Sequence, residues 1–217
     1  ARKLKQISYD EMLEMASLGA KVLQIRSVGF AKKYNVPIHV RSSFNEEEGT
    51  MVVGEDSGME KLVVSGITLD KNEARLTLKK VPDQPGIASK VFAPLAEAGI
   101  LVDMIVQSIG RKNRANISLT VPQEYLTKTL AVANDQSDLL ECQKPTHCAK
   151  VAKLSVFGVG MKSHTGVAAR MFQSLATTGI NADLISTSEV RINVVVDGEK
   201  GPTAFEALKR EFADAMV

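Results

Sequence analysis

The sequence lacks the features that mark membrane-spanning and nucleic-acid-binding proteins. No apolar run in its 217 residues approaches the ~18 residues that a bilayer requires. Lys plus Arg (27) nearly balance Asp plus Glu (25), without the basic patch of a nucleic-acid surface. The first residues carry no Met and no long apolar run, so we expect a cut or internal start rather than a signal peptide. These absences predict no membrane and no nucleic-acid partner.

Motifs of several enzyme classes are also absent. There is no G-x-x-x-x-G-K-[ST] loop and no G-x-G-x-x-G after a strand, and no Ser or Cys nucleophile has a paired base. Cys142 and Cys148 flank His147, but structural zinc requires a fourth ligand that is not in view. The sequence therefore predicts no catalytic residues, no metal site, and reduced thiols in a cytoplasmic protein.

An internal repeat dominates what is present. Residues 86–108 and 166–188 align without a gap at an offset of 80, with 10 identities in 23 positions. Such a match indicates one small unit that occurs twice. Two equivalent crevices are typical of ligand sensing, and a hydrophobic content of 44% supplies a core.

Each copy follows the order strand, helix, strand, strand, helix. The helices show apolar faces at i, i+4 and i+8, namely Ile87, Val91 and Leu95 in copy one and Val167, Met171 and Leu175 in copy two. Copy one is predicted to close with a strand near 139–143, whereas copy two ends in a helix with no final strand. The predicted strands are 73–81, 102–108 and 115–121 in copy one and 153–159, 182–187 and 191–197 in copy two.

The unpaired strand at 61–68 is the simplest source of the strand that copy two lacks. The predicted fold is α+β, with two ferredoxin-like βαββαβ units packed side by side and the first inserted in the second. An RNA-binding role for such sheets requires aromatic residues, which the central strands lack. We expect boundaries at 1–54 for an N-terminal block (helical pattern at 8–34, strands at 37–41 and 50–53), 71–147 for the first unit, and 61–70 plus 148–217 for the second.

The loop before the first helix of each copy is where ligand chemistry is expected. In copy one, the amides of Gly86, Ile87 and Ala88 favour a carboxylate, and Asp83 beside them can take an ammonium. A carboxylate site next to an ammonium site is what an amino-acid pocket requires. The open alternative is that Asp83 only caps the helix. In copy two, His164 is a ligand contact or a solvent-facing loop residue. Asp103 and Asp183 match within the repeat and are either structural or ligand contacts.

At these residues the chain resembles the regulatory part of the aspartate kinase (aspartokinase) family, which has two ACT domains. The strings that carry the resemblance are VSGI, VPDQPGIA, VDMIVQS, GVGMKSHTGVAARMF and INADLISTSEVRI. The N-terminal strings ISYDEMLEMASLGAKVLQIRSV and VPIHVRSSF resemble the tail of the amino-acid-kinase domain. Because the family's motif near KFGGTSV is missing, the chain resembles a regulatory fragment or the β subunit of an α2β2 enzyme.

The resemblance implies a parent enzyme that uses ATP and Mg to convert L-aspartate to 4-phospho-L-aspartate, with no cofactor in this chain. It further implies feedback inhibition by L-lysine, L-threonine or both, and a homodimer through ACT domains, a catalytic α subunit, or both. By position, the implied effector residues are Asp83, Gln84, Pro85, Gly86, Ile87, Ala88, Leu101, Val102, Asp103, Gln107, Val167, Ala168, Asn181, Ala182, Ser188 and Glu189.

Two other interpretations differ in class. An ACT-type regulatory subunit of another amino-acid biosynthetic enzyme would share the repeat, but the kinase-like residues 5–45 argue against it. A stand-alone enzyme is disfavoured because no catalytic constellation is visible in the sequence.

Overall fold

The computed structural model describes residues 3–17, 22–55, 63–110, 112–162 and 164–215. The N-terminal block has β1 (Gln6–Ser8), α1 (Tyr9–Ser17), α2 (Ile25–Tyr34), β2 (Ile38–Val40) and β3 (Thr50–Val53). Copy one contains β4 (Gly66–Pro82), α3 (Ile87–Glu97), β5 (Ile105–Ile109), β6 (Arg114–Pro122), a 3-10 turn (Gln123–Tyr125) and α4 (Leu126–Leu139). Copy two contains β7 (Gln143–Phe157), a 3-10 turn (Val159–Lys162), α5 (Val167–Thr177), β8 (Leu184–Thr187), β9 (Arg191–Asp197) and α6 (Gly201–Glu211).

The N-terminal block is a small sheet covered by two helices. Its strand order is β1-β3-β2, with β1 parallel and β2 antiparallel to β3. Ile7, Met12, Val28 and Val52 form its core. The helical pattern predicted at 8–34 did not include β1, whose last residue is Ser8; residues 18–21 lie outside the described residues.

The repeat forms one six-stranded sheet with the order β5-β6-β4-β7-β9-β8. The two central strands, β4 and β7, are antiparallel and long, with 17 and 15 residues, and each contributes to both copies. The start of β4 pairs with the end of β7, from Gly66 opposite Phe157 to Asp70 opposite Lys153. Its second half, from Glu73, pairs with β6.

The pairing expected for the segment before copy one is therefore confirmed from Gly66 onward. Residues 63–65 precede the strand, and residues 61 and 62 lie outside the described residues. Two separate strands were predicted here. They are one strand, because a bulge between Asp70 and Glu73 lets the chain continue from one copy's sheet into the other's.

The closing strand of copy one was placed incorrectly at 139–143. The helix α4 continues to Leu139, because Leu140 extends its apolar face into the core and is 9% exposed. Glu141 then turns the chain in a left-handed conformation (φ 48°), and the closing strand starts at Gln143.

Two cores lie beneath the helices. In copy one, α3 buries Ile87, Val91 and Leu95 against the sheet, and α5 buries the equivalent Val167, Met171 and Leu175 in copy two. Each such side chain contributes about 1.5–3 kcal/mol. This confirms the helix faces predicted from the sequence. No helix in the described part of the chain is long and apolar enough to cross a membrane.

The sheet has one half from copy one (β5, β6 and β4) and one half from copy two (β7, β9 and β8). On the side away from the helices the two halves approach each other, and the edge strands β5 and β8 are in contact. Met104, Val151, Leu184 and Val195 form a small buried cluster there. The copies are thus joined both by shared strands and by packing.

Candidate ligand-binding site

The turn before α3 presents most of the predicted copy-one residues to solvent. Asp83, Gln84, Pro85, Gly86 and Ala88 are exposed, and only Ile87 is buried. Gly86 is the N-cap residue with φ 88°, a conformation that favours glycine. No side chain in the described part of the chain caps this helix, so the cap alternative for Asp83 is not realised. The helix N-terminus is therefore open to a ligand.

One expectation about this turn needs correction. The amide of Ile87 was expected to be free, but it donates to the carbonyl of Gln84 at 3.2 Å. The reason is that residues 84–87 form a tight turn before α3, which itself begins at Ile87 rather than near Pro85. Of the three amides considered for a carboxylate, those of Gly86 and Ala88 remain.

Gln107 lies on the edge strand β5, which β6 separates from the strand that leads into this turn. It is opposite Ile117, and opposed residues of neighbouring strands point to the same face, so its side chain is on the helix-covered side. Leu101 is 68% exposed, whereas Val102 packs against the copy-one core. The turn and the strand are connected at the β5–β6 hairpin, where the amide of Asp83 donates to the carbonyl of Asn113 at 2.8 Å.

Asp103 faces the other copy. Its carboxylate accepts a hydrogen bond from Lys153, on the first strand of copy two. In the reverse direction, Asp183 of copy two pairs with Arg75, on the first strand of copy one, at 3.0 Å. The two aspartates related by the repeat thus each form an ion pair with the other copy. From the sequence, both a structural role and a ligand contact were open for them, and these ion pairs are a structural role.

A cavity of about 240 Å³ lies at the equivalent place in copy two. It brings together four predicted residues, Val167 and Ala168 at the start of α5 and Ser188 and Glu189 after β8. Gly166, the N-cap residue at φ 97°, and His164 also line it. Asn181 and Ala182 do not: Asn181 is exposed, and Ala182 packs against the copy-two core.

His164 is fixed as part of the loop. Its Nδ1 lies 2.9 Å from the carbonyl oxygen of Gly160, so the ring closes the loop that leads into α5.

A second cavity, about 590 Å³, lies between the N-terminal block and copy two, but its lining is mainly apolar and includes no predicted site residue. Within the described ranges no three His, Cys, Asp or Glu residues form a group able to hold a metal ion.

The N-terminal block docks on the loop next to the copy-two cavity. Glu11 of α1 is 4% exposed, and its carboxylate accepts hydrogen bonds from the amide of Val159 at 3.1 Å and from the hydroxyl of Ser65. The same carboxylate also accepts from the amide of Ser8 at 3.1 Å. Glu14 and Arg191 form a further ion pair across this boundary. Sequence reasoning did not identify Glu11, although the pairing of Ser8 with a carboxylate three residues later is a capping-box signal.

The comparisons with known proteins agree with this geometry. The ACT domain family model matches residues 79–136 and 154–212, one region in each copy. The regulatory subunit of aspartate kinase from Thermus thermophilus is 39% identical, with a TM-score of 0.65 over 69% of this chain and 99% of that one. The chain belongs to the ACT domain family. It corresponds to the regulatory region of an aspartokinase.

Two further relatives extend the match beyond the ACT units. An aspartate kinase from Pseudomonas putida is 44% identical over 213 residues, which is 98% of this chain and 52% of that protein. The chain thus spans about half the length of the curated relatives it matches, and the similarity includes the N-terminal block. Aspartokinase III from E. coli is 23% identical over the whole chain and 47% of that protein, with a TM-score of 0.73, and shares the fold.

Proposed function

We propose that this chain is the effector-binding part of an aspartokinase and that L-lysine, L-threonine or both bind where the first helix of each ACT unit begins. The observation that carries the proposal is the copy-two cavity, where the N-terminus of α5, which no described side chain caps, adjoins Glu189. Its volume of about 240 Å³ lies just below the ~300–1,000 Å³ of typical small-molecule sites, which suits a free amino acid.

Each unit offers opposite charges to the two ends of an amino acid. The first amides of α5 have no partner within the helix and carry the positive end of its dipole, so they favour the α-carboxylate. Glu189 can then accept the ammonium. In copy one the amides of Gly86 and Ala88 and the carboxylate of Asp83 supply the same pair, with Gln107 available to the ligand's side chain.

A second ACT unit is the proposed cover of the open copy-one site. Both edges of the six-stranded sheet present apolar side chains to water, since Ile105 is 51%, Ile109 86% and Ile185 46% exposed. Exposed edge strands of this kind pair readily with another strand. We therefore propose a homodimer through the ACT units, which sedimentation or native mass spectrometry of the chain would detect.

The N-terminal block is the proposed connection to the catalytic part. Phe30 and Tyr34 stack on α2 and are 61% and 64% exposed, an apolar surface that suits another protein segment. The proposed parent reaction, phosphoryl transfer from ATP to L-aspartate, relies on positioned cations and Mg²⁺. As part of the proposal we place the protein in the cytoplasm, because Cys142 and Cys148 are free thiols.

The catalytic half of this proposal predicts that the purified chain forms no aspartyl phosphate from ATP and L-aspartate. Trapping the product with hydroxylamine measures this directly. ATP-dependent product that follows the purified chain through successive columns would contradict it.

The effector half predicts that Asp83→Ala weakens lysine or threonine binding. Losing a charge-assisted hydrogen bond of ~1.5–3 kcal/mol corresponds to about tenfold or more in affinity. Asp83 is exposed, so the free energy of unfolding should change little. Titration calorimetry with lysine and threonine, separately and together, measures binding. Lysine comes first because E. coli aspartokinase III was solved with lysine and aspartate.

Asp135→Ala, at an exposed position of α4, is the matched control. In the intact kinase, Asp83→Ala should relieve feedback inhibition and leave turnover without effector nearly unchanged. Equal affinity of parent and Asp83→Ala for both amino acids would show that the site is assigned incorrectly.

A further inference from the structure

A cationic pocket lies at the end of the copy-one sheet, apart from the residues assigned to an amino acid. Its cavity of about 480 Å³ is lined by four cationic side chains, two amides and one glycine, and no carboxylate belongs to the lining. These residues are Lys79, Lys80, Gly110, Lys112, Arg114, Asn116 and Gln143. The protein as a whole has a formal net charge of only +2, so this concentration of one sign is local.

A β-bulge places two consecutive lysines on the same pocket. Successive side chains of a regular strand point to opposite faces, so Lys79 and Lys80 would normally diverge. The register of β4 against β6 shifts between Leu78 and Val81, and Lys80 adopts a left-handed conformation with φ 57°. Such a conformation costs a non-glycine residue about 1–3 kcal/mol, and bulges of this kind redirect side chains next to functional sites.

The surroundings hold the pocket in shape. Nη1 of Arg114 donates to the carbonyl of Lys80 at 3.1 Å and to that of Glu141 at 3.3 Å, which fixes the guanidinium. Asn116 accepts from the amide of Lys80 at 3.1 Å. At the rim, a Cβ on Gly110 would lie 2.3 Å from the carbonyl oxygen of Arg114, so the hairpin can close this tightly only with glycine.

The second copy lacks the two consecutive lysines. At the repeat offset of 80, Lys79 and Lys80 correspond to Val159 and Gly160, and Val159 is 1% exposed. The repeat therefore does not by itself account for the two lysines of the copy-one pocket.

We propose that this pocket binds the phosphate chain of a small molecule, either inorganic polyphosphate or a nucleotide. Four cations around one cavity repel each other, and a ligand with several negative charges offsets that repulsion. An amino acid offers a single carboxylate, whereas one phosphate monoester carries about −1.5 to −2 at neutral pH, so two or three linked phosphates match the lining. Arg114 supplies a fixed planar donor and the lysines supply mobile point charges.

Calorimetric titration of the full 217-residue chain with pyrophosphate, tripolyphosphate and Mg-free ATP, at low salt and without amino acids, tests the proposal. We expect one saturable site for which tripolyphosphate and ATP compete. The double variant Lys79→Ala/Lys80→Ala should weaken both at least about tenfold, because each lysine loses a charge-assisted contact. The control Lys90→Ala/Lys128→Ala removes the same charge from exposed positions on α3 and α4.

Competition by adenosine separates the two sources. Tighter binding of ATP than of tripolyphosphate, with adenosine competing weakly, identifies a nucleotide; equal affinities with no effect of adenosine identify the phosphate chain alone. The proposal fails if none of the phosphates binds below about 1 mM, or if the control loses as much affinity as the pocket variant. Because no amino acid is present, these outcomes do not depend on whether lysine or threonine binds.

Discussion

Glu73 gives a quantitative prediction about the junction between the two copies. It lies on β4 where the strand leaves the sheet of copy two, and it is 4% exposed. Its Oε2 is buried without a hydrogen-bond partner within the described residues. Burial raises the pKa of this carboxyl from 4.5 to about 7, reinforced by Asp103 and Asp70 and opposed by Lys153.

The sign of the effect follows from proton linkage. Between pH 4.5 and about 7 the folded protein holds a proton on Glu73 that the unfolded chain releases, so stability falls as the pH rises through this window. The fall ends once Glu73 is ionised in both states. This shift in the pKa of Glu73 corresponds to at most about 3 kcal/mol in the free energy of unfolding, at ~1.4 kcal/mol per pKa unit.

Glu73→Gln should remove this dependence, because the amide has the shape of the protonated acid and no charge. We expect the variant to be more stable than the parent by about 1–3 kcal/mol at pH 8 and close to it at pH 4.5. Urea denaturation followed by circular dichroism across this range measures both free energies. Glu97→Gln, at an exposed position of α3, is the control. A difference between parent and Glu73→Gln that does not change with pH would refute the reasoning.

Two further predictions concern the docking of the N-terminal block and the glycines of copy two. Glu11→Ala leaves the buried amides of Val159 and Ser8 without their acceptor, which costs about 1–3 kcal/mol for each amide. Hydrogen exchange in α1 should therefore accelerate, whereas exchange in β6 should not change. Unchanged exchange in α1 would contradict the docking. A Cβ added by Gly166→Ala meets no atom within 4 Å, so this change should lower stability by only about 1–2 kcal/mol, because of its positive φ. Gly158→Ala places a Cβ 2.6 Å from the carbonyl oxygen of Val63 and should lower the thermal denaturation temperature more. The reverse order of the two temperatures would contradict this backbone geometry.

The repeat made the fold predictable because each copy carries its own periodicity. The apolar spacing of Ile87, Val91 and Leu95 defined a helix face without any knowledge of the partner strands. The same logic failed near 139–143, where Leu139 and Leu140 fit the end of a helix as well as the start of a strand. Propensity alone cannot separate a helix end from a strand start here, because the position of the boundary depends on which of the two leucines reaches the core.

Contacts between the copies were not predictable for a different reason. The crossed pairs of Asp103 with Lys153 and Asp183 with Arg75 depend on how two half-sheets pack, which no spacing within one copy encodes. The sequence could mark both aspartates as equivalent but could not choose between a ligand and a structural role. The burial of Glu11 and Glu73 is likewise a result of tertiary packing.

The two copies, although built alike, have different connections. In copy two, Val159 donates to Glu11 of the N-terminal block, and His164 and Gly166, later in the loop before α5, line the cavity. A ligand that displaces this loop must therefore strain or break the hydrogen bond between Val159 and Glu11. Such a ligand changes the position of the block only if it binds the displaced state more tightly than the docked one. In copy one, the turn at Asp83 is instead hydrogen-bonded to the hairpin that carries Lys112, so it adjoins the cationic pocket rather than the block. Under the proposed function, copy two is thus the one whose cavity lies next to the contact with the N-terminal block.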